Sequence, residues 1–283
     1  LEIGVLQAVF SLMQFLFSPF WGRLSDRIGR RPVLLIGLLG ATIFYGLFGV
    51  ALAVGSIPLM FLSRLGAGVA GATIATAQAF IADSTPPEKR TAGMAIIGAA
   101  FGVGFIFGPL IGGFGIWIEE QLGYTGLTGL PGYLASLFSM TALLLAVAIL
   151  PESLHPGSRS PHGGWKNLLQ LRTAAAMPGV LELIAVFFLA TFAFAMFETT
   201  VARLAKDIFE LNFSRTYLLF ALFGFLLVMA QGLVRSLSKR MPDKQLSTSG
   251  CILLMIGMAG TVLASDLGEL WLLFTLPILL VTG

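Results

Sequence analysis

Charge is scarce in this chain: Asp, Glu, Lys and Arg make up 11% of its 283 residues. Cysteine is scarcer, with Cys251 alone, so no intrachain disulfide forms, and one Cys in an apolar stretch behaves as a small hydrophobe. The two histidines, His155 and His162, stand in a Pro/Gly/Ser-rich stretch with no partner at metal-ligand spacing, and no metal site is expected. No catalytic triad or metal cluster is visible, which argues against an enzyme. The glycine-lysine signature of a phosphate loop is missing, which argues against ATP-driven pumping by this chain. The basic residues punctuate loops and build no continuous face, which argues against a nucleic-acid partner.

What fills the chain is apolar. Hydrophobic residues make up 57%, and the mean hydropathy is +0.92. A soluble protein of this length cannot hide so much apolar surface. Nine stretches, near 3–21, 33–55, 58–82, 92–118, 133–150, 179–203, 216–234, 247–265 and 269–283, approach the 20 or so residues that cross a bilayer as a helix. The expected fold is therefore all-α and polytopic, in lipid. The 34 glycines suit helices that pack closely there. The chain starts at Leu1 on the lip of one stretch and stops at Gly283 inside another, so further spans are expected beyond both ends.

The connections alternate in charge. Arg23, Arg27, Arg30 and Arg31 lie in one, Lys89 and Arg90 in a second, Arg159, Lys166 and Arg172 in a third, and Arg235, Lys239, Arg240 and Lys244 in a fourth. The intervening connections hold only Arg203, Lys206 and Arg215. The positive-inside rule sends the first set to the cytoplasm. The longest basic connection separates a bundle over 1–150, through a linker over 151–177, from a bundle over 178–283. Gly232-Leu-Val-Arg-Ser-Leu-Ser-Lys-Arg240 echoes Gly22-Arg-Leu-Ser-Asp-Arg-Ile-Gly-Arg-Arg31 in the equivalent place. Repeated halves with a site between them are a common transporter plan.

Two glycines, Gly22 and Gly29, bracket what reads as a tight turn carrying Asp26 and four arginines. Asp26 is expected to be ionised and paired there. The turn is either a charge latch between helices or a topology signal only. Arg64 stands inside an apolar stretch, where a guanidinium needs a cavity or a partner unless it snorkels. Gly104, Gly108 and Gly112 recur on one helical face, followed by Gly113, with Gly98 and Gly102 upstream and Pro109 favouring a bend. They are expected to form a close, bendable helix contact. Gln7, Ser11, Gln14 and Ser18 form a polar stripe that either faces a solute or hydrogen-bonds another helix. Glu198, with Thr191 on the same face and Phe187, Phe188, Phe192, Phe194 and Phe197 nearby, would bind a lipophilic cation or a proton. Alternatively it is a near-surface carboxylate paired with Arg203.

The pattern Gly22-x-Leu-x-Asp26-Arg27-x-Gly29-Arg30-Arg31 resembles the signature loop between the second and third spans of the major facilitator superfamily. Arg64-Leu-Gly-Ala-Gly68 resembles that family's fourth-span motif. Gly104-Phe-Ile-Phe-Gly108-Pro109-Leu-Ile-Gly112-Gly113 resembles the fifth-span motif of its drug:proton antiporter branch. Leu150-Pro-Glu-Ser153 resembles the usual end of the sixth span. The tetracycline-efflux group is the nearest resemblance, over Gly22 to about Ser153, with the second half matching in layout. The resemblance implies two pseudo-symmetric six-helix bundles, incomplete in this chain, which would supply spans two to ten. It implies a charge network joining Asp26 to Asp83 and Arg90, and proton coupling at Arg64.

Departures limit the carry-over. Phe44, in Gly40-Ala-Thr-Ile-Phe44-Tyr45, stands where tetracycline pumps carry an acid, and 247–265 lacks the acid of their ninth span, so tetracycline is doubtful as substrate. The second loop copy has Ser236 near the position of Asp26. The expectation is a secondary active transporter working by alternating access, with proton-coupled efflux of an amphiphilic small molecule or drug. It would need a proton gradient but no cofactor and no obligate protein partner, and would sit in a bacterial inner membrane. Arg64, Glu198, Gln14 and Thr191 are its expected cavity residues. An uptake or exchange carrier for a metabolite, a membrane receptor or scaffold, and a truncated product without transport are the alternatives.

Overall fold

The computed structural model describes residues 2–86, 89–123, 128–154, 179–207, 209–210, 213–237 and 241–267. Every regular element among them of a full turn or more is an α-helix: α1 (Glu2–Ile28), α2 (Arg30–Val54), α3 (Ile57–Gly71), α4 (Ile74–Ser84), α5 (Arg90–Gln121), α6 (Leu130–Ile149), α7 (Val180–Asp207), α8 (Phe213–Leu237) and α9 (Asp243–Leu267). The first eight expected stretches all fall on these helices. The ninth, near 269–283, lies outside the described residues, as do both histidines and most of the 151–177 linker. Among the described residues, six spans are long and apolar enough to cross a membrane: Gly4–Ile28, Arg30–Val54, Ile57–Ser84, Ile96–Glu119, Leu130–Ile149 and Val180–Phe197. Large apolar side chains point outward along them, Phe15, Leu144 and Phe187 among them, as expected for helices solvated by lipid.

Local chemistry sets the helix ends. Gly55 closes α2 in the left-handed region (φ 68°), and its N–H reaches the carbonyls of Ala51 and Leu52. Ser56 then caps α3 by accepting from the Leu59 N–H, with Pro58 in the first turn, where its missing N–H leaves no gap.

The chain divides into two compact units. The first comprises Leu1–Met94 with Ile111–Gly163, the second Ala95–Leu110 with Gly164–Gly283. The middle of α5 thus belongs to the second unit.

In the first unit α2 packs against α3 and α6 through glycines. A Cβ on Gly37 would lie 2.7 Å from the Thr73 methyl, and one on Gly40 2.7 Å from Ala70 Cβ. On the α6 side, a Cβ on Gly132 would lie 2.6 Å from Gly49 Cα, and one on Gly49 2.7 Å from the Tyr133 ring. Backbones this close replace side-chain packing with direct main-chain contact. Ser136 Oγ adds a hydrogen bond to the Thr42 carbonyl at 2.7 Å.

The span Ile57–Ser84 is not one helix. Ala72 and Thr73 interrupt it, separating α3 from α4. A break at membrane depth leaves carbonyls that lipid cannot satisfy. Two side chains of α1 serve them: Gln14 Nε2 donates to the Gly71 carbonyl at 3.1 Å and Trp21 Nε1 to the Val69 carbonyl at 2.7 Å.

In the second unit the core is Phe197, Val201 and Ala205 of α7 with Leu219 and Phe223 of α8, and Leu254 and Met258 of α9 pack against it. The Phe197 and Phe223 rings lie 5.3 Å apart, and Phe105 of α5 meets Phe194 edge to face at 5.6 Å.

Candidate functional site

The basic end of the first unit gathers the charged residues of the signature pattern. The turn expected over 22–31 is mostly helix. α1 continues through Ile28, Gly22 lies within it, and the reversal falls on Gly29 alone. The correction has a simple cause. Nothing in Arg23–Ile28 opposes helix, whereas Gly29 adopts φ 112°, ψ 157°, a region that only glycine enters without strain. A side chain there would also strike the Glu152 carboxylate.

Continuing α1 to Ile28 puts Asp26 within reach of Arg30. Arg30 Nη1 lies 2.6 Å from Asp26 Oδ1, and its Nε lies 3.1 Å from Asp83 Oδ2 at the end of α4. Arg30 Nη1 also donates to Ser25 Oγ at 2.6 Å, and that hydroxyl is itself fully buried and donates to the Gly22 carbonyl. Arg30, only 11% exposed in its side chain, is thus the hub joining the ends of α1, α2 and α4. The expected Asp26–Asp83 network is brought together around it. Arg27 is exposed at the rim, and the side chain of Arg90 lies outside the described residues.

Sequence reasoning named Glu152 only as part of a motif. It caps α2. Gly29 offers no side chain to the first N–H groups of that helix, so Glu152, some 120 residues later in the chain, accepts from Arg30 N at 2.9 Å and Arg31 N at 3.2 Å. It also accepts from Leu154 N at 2.9 Å. Burial alone would raise the pKa of this carboxyl, but the N–H groups of Leu154, Arg30, Arg31 and Ser153 outweigh it and lower the pKa below the ordinary glutamate value. In return, Arg31 Nη2 donates to the Val147 carbonyl in the last turn of α6 at 2.8 Å. An anion sits at the N-terminus of one helix and a cation at the C-terminus of its neighbour, each complementing the local dipole. A helix N-terminus without a capping residue was the available signal.

Arg64 lies inside α3, about 10 Å from the Ile57 end at 1.5 Å per residue. Its guanidinium carbon stands 4.0 Å from the centroid of the Phe48 ring on α2, a cation–π contact. Phe44, one turn earlier, packs its ring against Gly66 where a Cβ would otherwise be. Arg64 therefore has an aromatic partner, half-buried between two helices.

The other expected site residues fall elsewhere. Gln14 Nε2 donates to the Gly71 carbonyl, the helix-to-helix hydrogen bond that was one of the two alternatives for the polar stripe. A Cβ on Gly104, Gly108 or Gly112 would meet nothing within 4 Å among the described residues, so there this face does not make the expected close contact. The contact lies on another face of α5. A Cβ on Gly102 would fall 2.6 Å from the Val228 side chain, and one on Gly224 2.7 Å from the Phe105 carbonyl carbon. Spacing shows which glycines share a face but not which face packs. Gly113 is half-buried, and α5 runs through Pro109 from Arg90 to Gln121. Thr191 is exposed on α7, and the Glu198 side chain lies outside the described residues. Arg203 pairs with Asp207 at 3.1 Å. The phenylalanines of α7 divide: Phe187, Phe188 and Phe192 are exposed, while Phe194 and Phe197 pack inward.

Comparison with known proteins agrees with this architecture. The sequence profile of the Major Facilitator Superfamily matches residues 1–283. The chain is 35% identical to tetracycline resistance protein class C of Escherichia coli over 283 residues, covering 99% of this chain and 68% of that protein. It is 30% identical to solute carrier family 22 member 18 of Rattus norvegicus, covering 96% of this chain and 66% of that protein. Among solved structures it is similar to the human organic anion transporter MFSD10 (TETRAN), with a TM-score of 0.74 and 25% identity, covering 99% of this chain and 67% of that one. The chain thus spans about two thirds of the length of these relatives. With all-α apolar spans, the Arg30 hub and a matching profile over its whole length, this chain belongs to the Major Facilitator Superfamily.

Proposed function

We propose that this protein is a secondary active transporter that exports an amphiphilic small molecule against a proton gradient, by alternating access, across a bacterial cytoplasmic membrane. The observation that carries this reading is the Arg30 hub. One largely buried guanidinium at the start of α2 ties Ser25 and Asp26 at the end of α1 to Asp83 at the end of α4, in a chain similar to tetracycline resistance proteins over nearly all its length.

Such a hub suits a two-state element. Its bonds are few, directional and close to water, so they can be exchanged for solvent as helices shift. Its strength in one state is a matter of charge–charge distance. The two bundles over 1–150 and 178–283 would be the moving parts, and Arg64 the charged group of the first bundle that the cycle uses. Glu198 and Thr191 remain candidates in the second. No cofactor or protein partner enters this reading; the proton gradient supplies the energy.

The test is accumulation in cells that lack their own efflux pumps and carry the full-length gene. A set of fluorescent amphiphiles, anionic, neutral and cationic, is measured with and without a protonophore. Lower accumulation of at least one of them, reversed by the protonophore and abolished by Asp26→Asn, is the expected result. Accumulation equal to empty-vector cells for all of them contradicts it.

A further inference from the structure

We infer that Glu119 is a positioning residue of the transport cycle: its buried carboxyl clamps the last turn of α5 to the start of α6, and the cycle depends on that clamp. The clamp stands on geometry alone, and its part in the cycle rests on the transport reading.

The start of α6 cannot supply its own cap. Gly129 stands there in the left-handed region (φ 83°), and a side chain on it would strike the Gly49 backbone of α2. The first N–H groups of α6 therefore need an acceptor from another helix. Glu119, 5% exposed, provides it: Oε1 accepts from the Leu130 N–H at 3.1 Å and from the Thr128 hydroxyl. Gly115 lies one turn earlier on the same face of α5, and a Cβ there would lie 3.3 Å from Leu134 Cδ1. Gly129 and Gly132 press in turn on Gly49, so the carboxyl completes a run of contacts from α5 through α6 to α2. Glu119 is at the opposite end of α5 from Arg90, and so at the end of the bundle away from the Arg30 hub.

The helix that Glu119 fastens is divided between the two units. Arg90–Met94 and Ile111–Gln121 belong to the first, Ala95–Leu110 to the second. In the second, Gly102, Phe105 and Ile106 lie against Val228 and Gly224 of α8. In the first, among the described residues, α5 lacks a broad packing face like that of α2 on α6 and is met at a few points. Those are Gly93 beside Ile81 and Thr85 at one end, and Gly115 and Glu119 at the other. A helix passes displacement on only where it is fastened, and Glu119 is the directional bond at the far end.

The test separates the acceptor oxygen from the acid. Glu119→Gln keeps an acceptor at the same reach, whereas Glu119→Leu keeps the bulk and removes it. Two readouts are taken on the purified full-length protein: hydrogen–deuterium exchange over Leu130–Tyr133, and flux of carboxyfluorescein and rhodamine 123 in proteoliposomes under a pH gradient, per folded molecule. Glu119→Leu should speed the exchange and slow the flux about tenfold or more, the scale of one buried hydrogen bond lost with its partner left unpaired. Glu119→Gln should keep most of both. Thr128→Val should slow flux a few-fold and add little on top of Glu119→Leu, since both act on one contact. It carries the test if the leucine variant does not fold, and wild-type behaviour in both readouts then overturns the clamp. Flux as low in Glu119→Gln as in Glu119→Leu overturns the inference, because the acid and not the clamp would then matter. Faster exchange with wild-type flux also overturns it, leaving Glu119 a tie in the fold. A wild type that moves neither dye, with exchange changed as stated, tells against the transport reading and keeps the clamp.

Discussion

The two compact units are held together by different physics. The first is tied by directional bonds from side chains to ions and backbone: Arg30 to Asp26 and Asp83, Glu152 to the start of α2, Arg31 to the end of α6, and Gln14 and Trp21 to the broken fourth span. In the second, rings and close backbones join the helices, with Phe197 on Phe223, Phe105 on Phe194 and Gly102 beside Gly224, alongside the Arg203–Asp207 pair within α7. Directional bonds are made or broken as wholes and can define two states. Ring and glycine packing has no bond to exchange with water, and its close-packed surfaces must separate before they change. Glycine packing also occurs in the first unit, between α2 and α6, so that unit combines a fixed spine with a rim that can exchange its partners.

The hardest way to break this contrast is at the spine. Gly49→Val places branched carbons where the Tyr133 ring and the Gly129 carbonyl already lie. It is expected to cost about 3 kcal/mol or more and to abolish a monodisperse peak in size-exclusion chromatography. At the rim, Arg30→Gln should do the opposite. Its carboxylate partners Asp26 and Asp83 are 47% and 32% exposed and can be solvated once the guanidinium is lost, so the yield of folded protein should fall only modestly. Proton-linked flux per molecule should fall about tenfold or more if the hub stabilises one transport state, because each 1.4 kcal/mol shifts a population tenfold. A flux loss no greater than the loss of folded protein would reduce the hub to a structural tie.

Glu152 sharpens the contrast through pH. Its carboxyl titrates lower in the folded protein than in the unfolded chain. Its contribution is therefore fully present above the ordinary glutamate value of about 4.3 and is lost as pH falls through the lowered folded value. Thermal unfolding of wild type and Glu152→Gln should differ most above that window, with the variant less stable, and converge below it. Curves that stay parallel across the acid range would remove the capping role. The smallest effects belong to the second unit. Gly102→Ala should lower the melting temperature by a few degrees because Val228 must give way, whereas Gly104→Ala should fall within about 0.5 kcal/mol of wild type because nothing stands near it.

Much of this was legible before any coordinates. Span positions follow from hydropathy summed over some 20 residues, and neighbouring errors cancel in such a sum. The charged pattern from Gly22 to Arg31 was legible because ionised groups are rare here and must be paired or solvated. Three things were not. The glycines at 104, 108 and 112 are as periodic as Gly98 and Gly102, and periodicity carries no information about the neighbour. Gln14 is polar on an apolar helix whether it faces a solute or a carbonyl, and the carbonyl at the Ala72–Thr73 break that it bonds is invisible in the spacing. Glu152 acts on residues about 120 positions away, through a vacancy at the start of α2 that a missing Ser, Thr, Asp or Asn only hints at.

The interruption at Ala72 and Thr73 also has a mechanical meaning. It cuts one membrane span into two rods, the first bearing Arg64 and the second ending at Asp83. An unbroken helix would transmit any twist or tilt from one of these residues to the other. Gln14 and Trp21 fasten the end of the first rod to α1, and the second starts beyond the break. The guanidinium stacked near Phe48 and the carboxylate paired with Arg30 therefore belong to two separate rigid segments of one span.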